Sequence, residues 1–331
     1  MTERQISSPA TRPSSGDRSI TTALVTGGAG FIGSNLVRRL LHDGTHVVVL
    51  DDFSSGRMAN LPRVPNLTIV EGDLTQVDDL EGLVREAEVV FHLAAQVGTI
   101  PAILDPVHDA RVNVLGTVRL LAACRGTSVR RIVCSSSAAP FGEAQAARVA
   151  EDHPQHPESF YALSKLAAER YALLAASLLG LPTVCLRYFN VYGLPLSTSE
   201  YAGVISIFLD KLRRGEPIRI FGDGSQSRDF VYVKDVVTAN LLAARHGVPG
   251  GIYNIGTGWP TTVLELATLM SELAGRTPEI EFLPRRPGEI QHSTAAIDAA
   301  RGALGYAPAY DLRTGLAEIW KSAWNDAHQG G

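Results

Sequence analysis

The chain has 331 residues, of which 45% are hydrophobic and 19% are charged. It can therefore bury a large core, and its length suits one large domain or two modest ones. Thirty basic residues against 34 acidic ones give a formal net charge of −4. This charge creates no global field that would attract nucleic acid or an anionic membrane, so we expect neither as a partner.

The cysteines and the chain start indicate the compartment. Cys124, Cys134 and Cys185 form an odd set without metal-ligand spacing, which favours a reducing cytosol. No apolar run approaches the roughly 18 residues needed to span a bilayer, and the first residues lack the order of a secretory signal. We expect a soluble, cytoplasmic protein whose residues 1–19, rich in Ser, Thr, Pro and Arg, form a disordered tail.

From Ile20 onward, short apolar runs alternate with longer amphipathic segments, a rhythm typical of βαβ units and a buried parallel sheet. The predicted strands are Ala23–Thr26, His46–Leu50, Leu67–Val70, Val89–His92 and Arg131–Cys134. The predicted helices are Phe31–His42, Pro106–Cys124 and Ser159–Leu179. The fold class is therefore α/β, a Rossmann-like doubly wound parallel sheet.

After residue 191 the rhythm loosens and turn-rich stretches interrupt it. We expect a dinucleotide-binding domain over residues 20–191, to which residues 230–258 return. Residues 192–229 and 259–326 would form a smaller, discontinuous C-terminal α/β domain for the substrate.

The segment Thr26–Gly33 places glycines at 27, 30 and 33 directly after a strand and at the start of a helix. Glycine allows a tight turn and close approach to a pyrophosphate, while the helix N-terminus offers unpaired N–H groups. Glycines also occur in such turns for geometry alone.

Asp51 ends the second predicted strand, where a carboxylate can accept both ribose hydroxyls and would repel a 2′-phosphate. It favours a dinucleotide site, and NAD over NADP, against the alternative that Asp51 and Asp52 are ordinary turn residues. Asp73 follows the third strand, where it is either close to an adenine or an ordinary loop aspartate.

Tyr161 and Lys165 stand four residues apart and therefore share one helix face. A phenol is a poor base at pH 7, but a neighbouring ammonium and a positive nicotinamide favour its phenolate. Such Tyr-Lys pairs also arise by chance in helices.

Ser135, Ser136 and Ser137 follow a predicted strand, at the carboxyl end of the sheet where doubly wound folds bind ligands. Alternatively, they form a polar loop whose side chains hydrogen-bond to its own backbone.

Asp152, His153 and His156 are residue types that bind metal ions, which is an argument for a metal-dependent hydrolase. Their Pro-rich surroundings indicate a surface loop instead.

From Ile20 to about Trp320 the chain resembles the NAD-dependent epimerase/dehydratase branch of the extended short-chain dehydrogenases. The motifs that carry the resemblance are Thr26–Gly33, Asp51, Asn113–Thr117, Ser135–Ser137, Tyr161–Lys165, Arg187–Gly193, Gly222–Gly224, Arg228–Phe230 and Arg286–Glu289.

The resemblance implies that Tyr161 is the base, that Lys165 holds the nicotinamide ribose and that Ser137 bonds the reacting sugar hydroxyl. The implied NAD-binding residues are Gly27, Gly30, Phe31, Ile32, Gly33, Asp51, Asp52, Ser55, Asp73, Leu74, Leu93, Ala94, Ala95, Asn113, Ser135, Tyr161, Lys165 and Tyr188. The implied residues for a UDP- or dTDP-linked sugar are Ser137, Tyr161, Asn190, Val204, Phe221, Arg228, Arg286, Glu289 and Ser293. Arginine forks suit diphosphate oxygens, although exposed arginines are more often solvated or ion-paired.

Dehydrating and decarboxylating relatives need an extra acid after the serines, where this chain has Ala138 and Ala139. The absence of such an acid favours a C4 epimerase, of the UDP-glucose or the UDP-N-acetylglucosamine type. Ser293 would leave room for an N-acetyl group, unless it merely begins a strand. Pro140–Phe141 replaces the Val-Tyr pair frequent in the family, which puts the loop geometry and the sugar preference in question.

Alternatives remain open: a UDP-glucuronate epimerase, a 4,6-dehydratase, a C2 epimerase, a 4-ketosugar reductase, or a non-catalytic NAD-sensing scaffold. The resemblance also implies a homodimer that packs Pro106–Cys124 and Ser159–Leu179 of each subunit into a four-helix interface.

Overall fold

A computed structural model describes residues 19–144, 146–196, 203–285 and 290–329, with side chains described as far as Ser322. The strands are β1 Thr22–Thr26, β2 His46–Asp51, β3 Leu67–Glu71, β4 Val89–His92, β5 Arg131–Ser137, β6 Thr183–Tyr188, β7 Asn190–Tyr192, β8 Ile218–Phe221, β9 Ser227–Arg228, β10 Phe230–Tyr232, β11 Gly251–Ile255, β12 Thr261–Thr262, β13 Ile280–Leu283 and β14 His292–Ser293. The helices are α1 Phe31–His42, α2 Leu80–Arg85, α3 Thr99–Leu104, α4 Pro106–Ala110, α5 Gly116–Ala123, α6 Phe160–Leu179, α7 Val204–Arg214, α8 Val233–His246, α9 Val263–Leu273, α10 Asp298–Leu304 and α11 Leu312–Gln329.

Seven parallel strands form the main sheet, in the order β11-β6-β5-β4-β1-β2-β3. The central strands are Val-, Ile- and Leu-rich because helices cover both faces, and two hydrophobic clusters fill the space on either side. This arrangement confirms the predicted Rossmann-like fold class. The strand order reverses between β1 and β4, and ligands of doubly wound sheets bind in the crevice beyond the strand ends at such a point.

The predicted helix Pro106–Cys124 forms over Pro106–Ala123 with one irregular turn. Between α4 and α5 the chain forms one π-helical turn, Arg111–Leu115. The Thr117 hydroxyl donates to the main-chain oxygen of Asn113 at 2.6 Å, so a side chain takes part in the hydrogen bonding of the widened turn. The sequence did not reveal this π-helical turn, because apolar periodicity does not show a single extra residue in a helical turn.

A smaller core lies outside the main sheet. It is built from α7, α9, α11 and the parallel pair β8 and β13, with Phe208 and Leu266 fully buried between them. Ala295 to Tyr306, which fall in the predicted second domain, pack instead into the core of the main sheet through α10, α8 and β11. The division of the chain into two domains stays a prediction.

Among the residues that the structure describes, no helix is long and apolar enough to cross a membrane.

Candidate active site

The turn between β1 and α1 needs glycine at two positions. Gly27 has a φ of +70°, and a Cβ there would lie 2.6 Å from the Ala94 main-chain nitrogen. A Cβ on Gly33 would lie 2.1 Å from the Gly27 oxygen. The turn is therefore so tight that α1 begins directly beyond the carboxyl end of β1. No side chain caps α1 at Gly30, which leaves its first N–H groups, including those of Phe31 and Ile32, as donors for an anion.

Asp51 ends β2 beside this turn and is buried. Its Oδ2 accepts from the Ala29 N–H at 2.8 Å, and its Oδ1 accepts from the Phe53 N–H at 2.9 Å. Burial raises the pKa of Asp51, while the two backbone donors lower it. Each carboxylate oxygen has two lone pairs, so Asp51 holds the turn and retains acceptor capacity for a ribose.

The other predicted cofactor residues differ in how exposed they are and in the hydrogen bonds that they form. Leu93, Ala94 and Ala95 follow β4 beside the glycine turn, and Asp52 and Ser55 are exposed after β2. Asp73 accepts from the Thr75 N–H and the Gln76 amide. Leu74, by contrast, is buried in the hydrophobic cluster, so its side chain packs rather than binds.

A buried histidine beneath the turn was missed by the sequence analysis. His92 Nε2 lies 2.9 Å from Thr117 Oγ1, and its Nδ1 lies 2.8 Å from Thr26 Oγ1. The Thr117 hydroxyl already donates to Asn113, so the hydrogen-bond network assigns the proton to Nε2. Burial lowers the pKa of His92 to about 3, which keeps the ring neutral. The Val-Phe-His ending of β4 was the only available signal.

Strand β5 continues through Ser135, Ser136 and Ser137, whereas the sequence predicted that the strand ends at Cys134 and that the serines follow it. The extension arises because β6 runs alongside: Ser137 registers with Tyr188. The three hydroxyls therefore have positions fixed by the sheet.

Lys165 is buried and donates from Nζ to the Ser135 main-chain oxygen at 2.7 Å, with Ser135 Oγ at 3.5 Å. Burial lowers the pKa of Lys165 to about 8. Helix α6 starts at the Ser159 cap, whose side chain accepts from the Ala162 N–H, and this cap fixes where Tyr161 and Lys165 fall on the helix.

Burial raises the pKa of Tyr161, and the neighbouring Ser137 side chain lowers it by a smaller amount. The Ser137 Oγ accepts from the Ala139 N–H at 3.1 Å, which orients it. The structure therefore brings Ser137, Tyr161 and Lys165 together at the carboxyl end of β5.

The side chains of two predicted cofactor residues, Asn113 and Tyr188, form hydrogen bonds with other groups of the protein. Asn113 is buried; its Oδ1 accepts from the Gln96 N–H, while its Nδ2 donates to Ser164 Oγ at 2.9 Å and lies 3.1 Å from Asp109 Oδ1 and the Gln96 oxygen. The Tyr188 hydroxyl donates to Asn240 of α8 at 3.0 Å. These side chains support the site rather than face an open crevice.

A buried ion pair anchors α6 to β6, and sequence reasoning missed it too. Arg187 donates to both oxygens of Glu169 at 2.7 and 2.8 Å, and the Ser136 hydroxyl donates to Glu169 Oε2 at 2.7 Å. Phe141 stacks on the Arg187 guanidinium at 5.0 Å and is buried. The ring at the unusual Pro140–Phe141 position thus belongs to the core.

Three of the predicted substrate residues, Asn190, Arg228 and Ser293, lie next to a buried carboxylate. Asp229 accepts from the N–H groups of Thr257, Gly258 and Ala295. It stands next to Arg228 of β9, which registers with Ser293 of β14. Asn190 begins β7 and donates its main-chain N–H to the main-chain oxygen of Asp229.

Val204 begins α7 and Phe221 ends β8, both at the smaller core. Arg286 and Glu289 lie outside the described residues.

Among the described residues, no group of three or more His, Cys, Asp or Glu side chains is arranged to hold a metal ion. His153, one of the three residues in the metal-hydrolase alternative that the sequence disfavours, packs its ring edge-on against Phe141 at 6.0 Å. The three cysteines are free and buried.

Residues 23–256 match the model of the NAD dependent epimerase/dehydratase family. The chain belongs to this family. NAD is therefore the cofactor.

Three similar proteins show how far the likeness extends. The UDP-glucose 4-epimerase of Mycolicibacterium smegmatis is 43% identical over 301 residues, which cover 89% of this chain and 96% of that protein. The UDP-glucose 4-epimerase of Thermotoga maritima, solved with UDP-glucose, is 37% identical with a TM-score of 0.88, covering 93% of this chain and 100% of that one. The UDP-N-acetylglucosamine 4-epimerase of Methanobrevibacter ruminantium M1, in complex with UDP-N-acetylmuramic acid, has the same TM-score and coverage at 34% identity.

The residues of this chain fit NAD. The Gly27 and Gly33 turn leaves no room for a Cβ, and the uncapped start of α1 offers donors to a pyrophosphate. Asp51 supplies a buried carboxylate at the end of β2.

Proposed function

We propose that this protein is an NAD-dependent C4 epimerase of a nucleotide-linked sugar, of the UDP-glucose/UDP-galactose or UDP-N-acetylglucosamine/UDP-N-acetylgalactosamine type. The observation that carries the proposal is the meeting of Ser137, Tyr161 and Lys165 at the carboxyl end of β5, in the same sheet whose strand β1 leads into the glycine turn. The three similar proteins are named as 4-epimerases of UDP-sugars and support the substrate class.

The protein's own residues transfer one proton, that of the sugar hydroxyl. Ser137, held by the Ala139 N–H, orients the sugar hydroxyl, and Tyr161 accepts its proton. Lys165 keeps a positive charge beside Tyr161 and so favours the phenolate. The bound NAD supplies the place where the sugar's hydride is held and from which it returns. After the 4-ketosugar has rotated, Tyr161 gives the proton back to the sugar oxygen as the hydride returns to C4 from the opposite face.

The substrate's nucleotide end has a separate set of contacts. Arg228 is held in place by bonds from its Nη1 to the Ser227 and Gln291 oxygens. We assign it, with Asn190 and the predicted Arg286, to the diphosphate, which would hold the nucleotide while the sugar reorients.

The loop after the serines favours epimerisation over elimination. Elimination of water needs an acid beside the sugar, and Ala138 and Ala139 supply none. Glu143, the next acid along the chain, accepts from the Gln291 N–H at 2.5 Å and the His292 N–H at 3.4 Å. Its carboxylate is thus engaged at β14.

The experiment is incubation of the purified protein with a panel of UDP- and dTDP-sugars, with the product isomers resolved. We expect interconversion at C4 alone, with the Tyr161→Phe variant as the inactive control. A 4-keto-6-deoxy product, or inversion at another carbon, would contradict the proposal and favour the dehydratase or C2-epimerase alternative.

We also propose a homodimer. Large hydrophobic side chains are exposed along α3, α4 and α6: Ile100, Ile103, Leu104, Val107, Phe160, Leu163, Leu174 and Leu178. Helices with such faces pack against a partner, and a second copy would bury them in a four-helix interface.

A further inference from the structure

Asp109 is a buried carboxylate beside the proposed catalytic helix. It lies in α4 and is 1% exposed. Its Oδ1 lies 3.1 Å from Asn113 Nδ2, which donates to Ser164 Oγ at 2.9 Å. The Ser164 hydroxyl in turn lies 3.1 Å from the Tyr161 main-chain oxygen. Two side chains therefore join Asp109 to the turn of α6 that carries Tyr161 and Lys165.

The charge of Asp109 acts on both members of the pair. Burial raises the pKa of Tyr161 and lowers that of Lys165, and the Asp109 carboxylate raises both. The pKa of Asp109 is itself raised by burial, against hydrogen bonding from Ser164 and the charges of Lys165 and His108.

Other groups face the pair but act on it differently. Ser137 of β5 faces Tyr161 and carries no charge. Glu169 of α6, with Cys134 of β5 and Cys185 of β6, faces Lys165. Glu169 is paired with Arg187. The hydrogen bond with Cys134, together with burial, raises the pKa of the Cys185 thiol, and burial keeps the neighbouring His92 ring of β4 uncharged.

We propose that Asp109 is a positioning residue that holds Asn113 and Ser164 against α6 and sets the pH range in which Tyr161 and Lys165 work; this inference rests on the proposed function. A negative charge at this place keeps the Lys165 proton on at higher pH. It also makes the Tyr161 phenol harder to deprotonate. Both effects move the working range toward alkaline pH.

The test is the Asp109→Asn variant of the full chain with NAD bound. Asparagine has the same shape and retains an acceptor for Asn113. The active pair is the Tyr161 phenolate with the Lys165 ammonium, and removal of the Asp109 charge lowers the pKa of both groups, so we expect both limbs of the kcat/KM profile to move to lower pH by about one unit. Asp105→Asn is the matched control, because exposed Asp105 caps α4 and asparagine caps equally well. It should leave both limbs unchanged.

A second readout does not depend on turnover. The near-ultraviolet phenolate absorbance of Tyr161, obtained by subtracting the Tyr161→Phe variant, should titrate at lower pH in the Asp109→Asn background. Asp109→Glu, which retains the charge, should keep the wild-type titration even if kcat falls. If the limbs and the titration stay in place, or only one limb moves, the inference is wrong. If no sugar turns over, the proposed function fails while the titration still tests Asp109.

Discussion

Lys165 Nζ donates to the Ser135 main-chain oxygen at 2.7 Å in a buried setting that lowers the pKa of the lysine to about 8. The folded pKa lies below the usual 10.5, so the unfolded chain binds more protons between these values. The charge of Lys165 therefore destabilises the fold fully below about pH 8, and this cost disappears as the pH rises toward 10.5.

The first prediction is that Lys165→Met abolishes turnover yet stabilises the protein. At pH 7 the gain is up to about 3 kcal/mol, reduced by the lost bond to Ser135. The measurement is the Tm of cofactor-stripped protein at pH 7 and near pH 10, where the difference should vanish. Lys321→Met, at an exposed position, is the control and should change little. A variant less stable than wild type at pH 7 would contradict the argument.

The sequence predicted those parts of the site whose signal is local. The glycine turn, Asp51 at the end of β2 and the helical spacing of Tyr161 and Lys165 each lie within one or two elements. The parallel sheet followed from the alternation of apolar runs, and the structure and the comparisons confirm the fold class. The assignments of the site residues stay predictions.

The sequence could not predict contacts that only the fold creates. Glu169 and Arg187 are 18 positions apart, and His92 and Thr26 are 66 apart. Base rates favour a solvated Glu or Arg, so nothing in the sequence marks this ion pair as buried. Asp109 was missed for the same reason, and the strand through Ser137 was missed because polar residues usually end a strand prediction.

The second prediction concerns the cofactor. Asp51 places a buried carboxylate at the end of β2, so stripped protein should bind NAD at least about tenfold more tightly than NADP by calorimetry. Asp51→Ala should weaken NAD selectively. Asp298→Ala is the control, since Asp298 is exposed on α10 and lies outside the predicted cofactor residues. Equal affinity of the wild type for both dinucleotides would refute the carboxylate argument.

The third prediction is a dimer at micromolar concentration. Leu178 is 75% exposed near the end of α6, and Leu178→Asp should give a monomer in light scattering, because a buried unpaired charge opposes association. Phe282→Asp, also at an exposed hydrophobic position but in β13, should leave the dimer intact. A monomeric wild type would reject the four-helix interface.

The fourth prediction is that Tyr161→Phe loses turnover while NAD and nucleotide-sugar binding stay nearly intact. The ring still packs, but the proton acceptor next to Ser137 is gone, so the loss falls on kcat by at least about 100-fold. Tyr171→Phe is the control, because Tyr171 is half-exposed and lies further along the same helix, outside the predicted site residues. Near-normal turnover by Tyr161→Phe would restore the NAD-sensing scaffold as the better hypothesis.

The last prediction separates C4 epimerisation from chemistry at a neighbouring carbon. The proton that Tyr161 handles belongs to a hydroxyl, and the hydrogen on C4 leaves and returns without exchange. Wild-type protein run in deuterated water should therefore give product without deuterium on any sugar carbon, read by mass spectrometry. Elimination or enolisation instead removes a carbon-bound proton next to the ketone and replaces it from solvent. Deuterium at such a carbon would show that a base beyond Tyr161 acts on the sugar, which the Ala138–Ala139 loop argues against.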